Sequence, residues 1–204
     1  FVSTMDEYIG MALKKLKALG LRDNTIIIFQ SDHGHSMERR AFGGGGDNGP
    51  YRGAKFSLFE GGIRIPAMIS WKGEIPQGKV RDQMGVNVDW LPTIADLCEV
   101  PVSVDGMAGK SLREVIYEDA PSPHKVFHWQ FKDQWAVRMN EWKLLQNPID
   151  PTMKASEQWG DTTFLINLEN DKGESNNLKD QYPAKVEEME KLHEKWVNGL
   201  NSGP

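Results

Sequence analysis

Apolar positions in the first third of the chain recur first at helical spacing and then in short continuous runs. Residues Thr4–Leu19 carry apolar side chains at intervals of three and four, which predicts an amphipathic helix that stops at Gly20. Two short apolar runs follow, Thr25–Phe29 and Ile65–Trp71. Such runs, bounded by turn residues, are typical of strands buried on both faces of a parallel sheet. This part of the chain therefore predicts an α/β fold.

The pattern changes after Pro121, where apolar residues alternate with polar ones. Alternation of period two indicates strands with one buried face, joined by short turns in an antiparallel sheet. The last periodic segment, Pro183–Leu200, has an apolar stripe and charges elsewhere, so we expect a helix that covers one face of that sheet. The predicted strands are Val126–Trp129, Trp135–Met139, Trp142–Gln146 and Thr163–Leu168.

Composition narrows the range of functions. A net charge of −5 gives no support for nucleic-acid binding through bulk electrostatics. No run of about 18 apolar residues occurs, so the sequence predicts no membrane-spanning helix. The single cysteine, Cys98, excludes an internal disulfide. We therefore expect neither a nucleic acid nor a membrane as partner.

Candidate chemistry is concentrated directly after the first predicted strand, in Ser31–Gly34. The edge at the carboxyl ends of strands is where open α/β sheets bind their ligands. A carboxylate and an imidazole on adjacent residues, Asp32 and His33, can reach one divalent cation. Alone, the segment is better explained as a simple strand-end turn. A long glycine-rich loop follows it, and loops of that length are commonly functional or disordered.

Six short sequence blocks occur in a fixed order along nearly the whole chain. In the residues and order of these blocks, the sequence resembles the sulfatase family of the alkaline-phosphatase-like superfamily. The matching blocks are Ser31–Gly34, Gly49–Lys55, Glu60–Pro66, Asp89–Ile94, Ala136–Arg138 and Glu141–Leu144. The resemblance implies that residues 1–120 are the C-terminal part of the α/β catalytic domain. Residues 121–204 would then form a C-terminal subdomain, an antiparallel sheet packed by a helix.

The resemblance also assigns roles to individual residues. Asp32 and His33 would bind a divalent metal, generally calcium, although imidazole is an unusual ligand for that ion. Lys55 would hold a sulfate oxygen and stabilise charge on the transferred sulfuryl group, because an ammonium suits a tetrahedral anion. His35 either faces the sugar ring of the substrate or supports the loop. Glu60 either pairs with Arg64 or braces the lysine.

The nucleophile of the family is absent from these residues. Sulfatases convert the cysteine or serine of a C/S-x-P-x-R motif to formylglycine, and neither Cys98 nor any serine here has that context. The family's first pair of metal-binding aspartates also has no counterpart. We therefore expect a C-terminal fragment without turnover, whose parent hydrolyses sulfate esters, of sugars in particular, in the periplasm or after secretion.

Other interpretations remain open at this point. A phosphodiesterase or phosphonate hydrolase of the same superfamily would use a similar metal site. A non-catalytic module that binds sulfated glycans could use an aromatic surface of Trp129, Trp135, Trp142 and Trp159, although such rings more often pack in a core. The acidic segment Asn170–Glu174 lacks the alternating ligands of a calcium loop and is predicted to be a turn.

Incomplete sheets expose edges that pair with other chains. The fragment is therefore predicted either to self-associate through residues 25–71 or to leave the loop Arg39–Gly53 disordered.

Overall fold

The computed structural model describes residues 1–39, 42–103, 105–153 and 160–201, with residue 201 described by its backbone only. Part of the predicted loop Arg39–Gly53 and the whole of Trp159 lie outside the described residues. The chain forms two compact units. The first unit contains residues 1–30 and 67–124, and the second contains residues 31–66 and those from Lys125 onward. The predicted domain boundary at residue 120 stays a prediction.

The secondary structure follows the predicted elements closely. The helices, in chain order, are α1 (Val2–Ala18), α2 (Glu60–Ile63), α3 (Trp90–Leu97), α4 (Arg113–Glu118) and α5 (Pro183–Asn201). The strands are β1 (Ile27–Gln30), β2 (Ala67–Ser70), β3 (Val126–Phe131), β4 (Gln134–Met139), β5 (Trp142–Gln146) and β6 (Thr163–Asn167). Two short 3-10 helices, Arg22–Asn24 and Asn87–Asp89, precede β1 and α3.

In the first unit, β1 and β2 pair antiparallel, with Ile27 opposite Ser70 and Gln30 opposite Ala67. This pair differs from the parallel arrangement that the apolar runs predict. Parallel neighbours need a crossover, usually a long helix, whereas the described residues between these strands contain only the single turn α2. The strands are also not buried on both faces, since Phe29 is 37% and Met68 is 58% exposed.

The Asp89-x-x-Pro-Thr block of the first unit is a structural hub. The carboxylate of Asp89 is fully buried and lies 2.7 Å from Nε2 of His124. It also accepts hydrogen bonds from the backbone amides of Val86 at 2.8 Å and Lys110 at 2.9 Å. Thr93 Oγ1 donates to the Asp89 carbonyl at 2.6 Å. His124 is thus held in place by a buried carboxylate.

The second unit is built on a four-stranded antiparallel meander in the order β3-β4-β5-β6. One face packs against α5, whose Met189 is completely buried with Val137, Leu144 and Leu165 of the sheet. This confirms the predicted sheet with its covering helix. The opposite face packs against the segment that precedes α2: Leu58 and Phe59 join a core with Ala136, Leu145, Phe164, Ile166 and Leu168. The sheet therefore supports the segment that contains Lys55.

Candidate active site

Asp32 and His33 lie next to each other in the turn that follows β1. His33 Nε2 lies 3.0 Å from Asp32 Oδ2, and the Asp32 side chain is 81% exposed. The other ring nitrogen, Nδ1, hydrogen-bonds to the Gly34 carbonyl at 2.7 Å. Metal-binding histidines commonly anchor their second nitrogen in this way, which leaves Nε2 as the ligand atom. The two atoms that could bind a metal, Asp32 Oδ2 and His33 Nε2, thus lie side by side.

Gly34 fixes this turn to α2. Its amide donates to the carbonyl of Gly62 at 3.0 Å. A Cβ at Gly34 would lie only 1.8 Å from the carbonyl oxygen of Gly61, so no larger residue fits. The strand-end turn is therefore a tightly defined contact between two backbone segments.

The backbone of Lys55 is hydrogen-bonded to the segment that follows the Asp32-His33 turn. Its amide donates to the carbonyl of His35 at 3.0 Å, and its ammonium lies 2.9 Å from Oε2 of Glu38. Both side chains are mostly buried. Phe56, the next residue, has φ of 77°, a conformation that bulky residues rarely adopt. The structure therefore ties the backbone of Lys55 to His35, two residues beyond His33, and it adds Glu38 as the partner of the lysine ammonium.

Sequence reasoning missed Glu38. It lies 17 residues from Lys55 in a loop without periodic pattern, so no local signal marks the pair. Ser36 Oγ also donates to the Glu38 carboxylate, at 3.0 Å.

His35 supports the loop and also has an unused nitrogen. Its carbonyl receives the Lys55 amide, and the glycine loop packs against its side chain: a Cβ at Gly46 would lie 2.3 Å from the Cβ of His35. Its Nδ1 is buried and makes no hydrogen bond among the described residues. The contacts of the backbone fit the loop-support interpretation, and the predicted contact with substrate stays a prediction.

Glu60 does not reach Lys55, which pairs with Glu38 instead. One carboxylate oxygen of Glu60 lies 3.6 Å from Arg64 Nη1, as one of the two alternatives expected. Its other oxygen lies 2.9 Å from the ammonium of Lys143 on β5.

Arg52 lies in the Gly-Pro-Tyr-Arg-Gly block, three residues before Lys55. It attaches this block to the segments that follow β5 and β6. Its Nε donates to Asp150 at 2.7 Å, and its Nη1 donates to the carbonyl of Glu174 at 3.2 Å. The guanidinium lies 4.0 Å from the centre of the Phe59 ring. Arg52 is thus a structural residue beside the candidate site.

The donor set for a metal is incomplete within this chain. Among the described residues, no group of three or more His, Cys, Asp and Glu side chains is arranged to hold a metal ion. Calcium takes six to eight oxygen ligands, so the two adjacent donors Asp32 and His33 fit one side of such a site only. Their exposure and the anchored imidazole are compatible with that partial role.

The predicted aromatic surface is divided in the structure. The ring of Trp135 stacks on His193 at 4.1 Å, and that of Trp129 packs edge-on against Phe127 at 4.9 Å. Trp142 and Tyr182 line an open cavity of about 540 Å³ together with several asparagines. Trp129 packs against one core of the unit, and Trp135 and Trp142 pack against the other, so core packing accounts for these three rings.

Comparison with known proteins identifies the family. The profile described as Sulfatase matches residues 1–100, and the profile described as N-sulphoglucosamine sulphohydrolase, C-terminal, matches residues 51–201. The second match covers well over half of the chain.

Individual relatives agree with these profiles. A sulfatase from Formosa agariphila is 30% identical over 90% of this chain and 35% of its own length. An N-acetylgalactosamine-6-O-sulfatase from Bacteroides thetaiotaomicron is 28% identical over 93% of this chain and 40% of its own length. The crystal structure of Ps i-CgsB in complex with k-i-k-neocarrahexaose is 28% identical, with a TM-score of 0.78 over 96% of this chain and 41% of that one.

The chain thus spans about two fifths or less of each of these proteins. The structural neighbours confirm the α/β fold of alkaline-phosphatase-like type. With a profile match across most of its length, the chain belongs to the sulfatase family.

Proposed function

We propose that the protein containing this chain is a sulfuric ester hydrolase that acts on sulfate esters of sugars. The observation that carries the proposal is the hydrogen bond from the Lys55 amide to the His35 carbonyl, in a chain of the sulfatase family. This bond ties the backbone at Lys55 to the segment that directly follows Asp32 and His33, which supports the proposal. An ammonium and an anchored carboxylate-imidazole pair in one loop cluster match the needs of an anionic tetrahedral substrate.

Lys55 binds a sulfate oxygen in this proposal. Its ammonium is paired with Glu38 at 2.9 Å, so the sulfate group replaces or joins that carboxylate. A preorganised cation aimed at developing charge contributes roughly 10²–10³-fold to turnover.

Asp32 and His33 contribute two ligands to a divalent metal, with calcium as the expected ion. When bound, such a metal supplies positive charge for the sulfate oxygens. Asp32 Oδ2 and His33 Nε2 are the ligand atoms, and the Gly34 carbonyl holds the imidazole in place through Nδ1. Residues outside 1–204 would supply the remaining ligands and the formylglycine that serves as the nucleophile in this family.

Sugar sulfates are the proposed substrate class. One relative is named for N-acetylgalactosamine 6-O-sulfate chemistry, and the structural neighbour Ps i-CgsB forms a complex with k-i-k-neocarrahexaose. His35, which is partly exposed, is the proposed contact to the sugar.

We also infer a periplasmic or secreted location from the family resemblance. The described part of the chain contains no helix that is long and apolar enough to cross a membrane.

The test uses the complete enzyme with aryl and sugar sulfates as substrates. Asp32→Ala should abolish turnover and lower the metal content, because it removes a ligand. Lys55→Ala should retain the metal and reduce turnover by about 10²–10³-fold. The matched controls Asp180→Ala and Lys125→Ala change exposed residues and should leave both quantities unchanged.

Two results would contradict this assignment. Equal metal loss in the Asp32 and Lys55 variants would show that Lys55 has a different role. Faster hydrolysis of aryl phosphodiesters or phosphonates than of aryl sulfates would replace the proposed substrate class. Residues 1–204 alone should show no hydrolysis above a buffer blank.

A further inference from the structure

A buried ionic cluster lies in the second unit, formed by Lys143 on β5, Glu60 at the start of α2 and Glu174 in the segment after β6. The Lys143 ammonium is 2.9 Å from Glu60 Oε1 and 2.9 Å from Glu174 Oε1. The side chains of Lys143 and Glu174 are fully buried, and that of Glu60 is 4% exposed. We name these three residues the ionic cluster.

Burying three ionisable groups costs free energy, so packing alone does not explain why these three residues occupy the core. Removing charges from water costs several kcal/mol per ion, and an apolar replacement of similar volume is often as stable. Burial opposes ionisation of Glu60, yet Lys143, Arg138 and Arg64 outweigh it and hold its pKa below the ordinary value. Burial raises the pKa of Glu174, and the attraction of Lys143 does not fully offset that effect.

The ionic cluster is connected directly to the backbone of α2. Besides its contact with Lys143, Glu174 accepts the amide hydrogen of Glu60 through Oε2 at 2.6 Å. On its other side, α2 receives the Gly34 amide at the Gly62 carbonyl, 3.0 Å away. Only the single turn of α2 therefore separates the cluster from the Asp-His turn.

The Lys55 loop is attached to the same helix and to the same sheet. The amide of Gly61 donates to the Arg52 carbonyl at 2.6 Å, and Asn48 Nδ2 donates to the Gly61 carbonyl at 2.7 Å. The buried side chain of Gln134 on β4 donates to the carbonyl of Phe56 at 2.9 Å, where φ is 77°. The sheet thus fixes a strained backbone directly beside Lys55.

We propose that Glu174 and Lys143 are positioning residues of the candidate site: through Glu60 and α2 they hold the Asp32-His33 turn and the Lys55 loop at the geometry that the site requires. The consequence for turnover rests on the proposed function, whereas the structural coupling does not. If the cluster only stabilised the second unit, weakening it would accelerate hydrogen exchange throughout that unit. If it positions α2, weakening it accelerates exchange first at the residues attached to α2.

Glu174→Gln in the chain of residues 1–204 tests this coupling. The variant keeps an oxygen acceptor for the Glu60 amide and leaves the Lys143–Glu60 pair balanced, so the unit should fold. A neutral acceptor forms a weaker hydrogen bond than a carboxylate. We expect hydrogen exchange of the Gly34 amide to accelerate about tenfold, on the scale of that difference, and the imidazole NMR resonances of His33 to shift.

The matched control is Glu169→Gln, an exposed residue that precedes Glu174 in the same segment. It should leave Gly34 exchange and the His33 resonances unchanged. The amides of β4 and β5 serve as internal references in both variants.

The proposal is overturned if Glu174→Gln accelerates exchange in β4 and β5 as much as at Gly34, or if Gly34 and His33 do not respond. In the complete enzyme the same variant should lower kcat without changing the fold. The hydrogen-exchange rates of the β4 and β5 amides should then equal those of the unmodified enzyme. Absence of sulfatase activity in the unmodified enzyme would contradict the proposed function, yet it would leave the exchange result to decide the coupling.

Discussion

The helices α1 and α5 have similar apolar stripes and opposite surroundings. In α1 no residue is buried, and Met5, Tyr8 and Met11 are exposed. In α5, Met189 is completely buried against the four-stranded sheet. The strands repeat this contrast, because β1 and β2 carry exposed Phe29 and Met68 whereas the central strands of the meander contain fully buried side chains.

The contrast shows that an apolar stripe on a helix predicts that this face will pack against something, but does not identify the residues that it packs against. Most helical stability in proteins comes from tertiary packing of the apolar face. The second unit contains both sides of its core, so its pattern is fulfilled within the chain. In the first unit the stripe of α1 has no buried residue.

The largest expected effect is on the core of the second unit. Leu165→Ala removes a fully buried side chain and should lower the free energy of unfolding by about 2–5 kcal/mol, because it leaves a cavity. The matched change Leu13→Ala on α1, where the leucine is 37% exposed, should cost less than about 0.5 kcal/mol. Chemical denaturation of residues 1–204 measures both. Similar losses would remove the contrast between the units.

The pH dependence of the second unit should be smaller but measurable. Burial, followed by the charge of nearby His193, lowers the pKa of His128 to about 4. The unfolded state then binds the proton more readily, so stability is complete above pH 6.5 and falls as the pH drops from 6.5 towards 4. His128→Phe keeps a ring against Trp196, stacked at 5.0 Å, and removes this titration.

Urea midpoints between about pH 7 and pH 4 provide the measurement, since they bracket the titration of the unfolded and folded states. The variant should lose less stability over that range than the natural sequence. An identical slope in both proteins would show that His128 does not titrate as inferred.

The smallest expected effect concerns self-association of the chain. The predicted self-association through residues 25–71 involves the exposed apolar positions of β1 and β2. Met68→Lys places a charge on this surface and should weaken association by about tenfold, since charged edge residues oppose strand pairing. Lys191→Met on α5 is the control for a change at an exposed position of the second unit. A monomer at every concentration in sedimentation equilibrium, together with a fully ordered loop Arg39–Gly53, would contradict the prediction.

Much of the secondary structure could be predicted from the sequence, whereas the residues of the candidate site stay a prediction. The four strands of the meander and α5 follow from periods of about two and 3.6. The Asp32-His33 turn and Lys55 follow from short blocks that match the family. The antiparallel pairing of β1 with β2 could not be predicted, because strand direction depends on how the intervening segment returns.

What the sequence by itself determined is the type and order of the elements and the chemistry available at Asp32, His33, His35 and Lys55. Only the tertiary structure decided the partners of those groups. Glu38 reaches Lys55 across 17 residues, and Glu174, which the sequence placed in a turn, reaches Glu60 across 114. Local spacing cannot encode such distances. The partner of a charge is chosen by the folded backbone, because burial makes an unpaired charge too costly to keep.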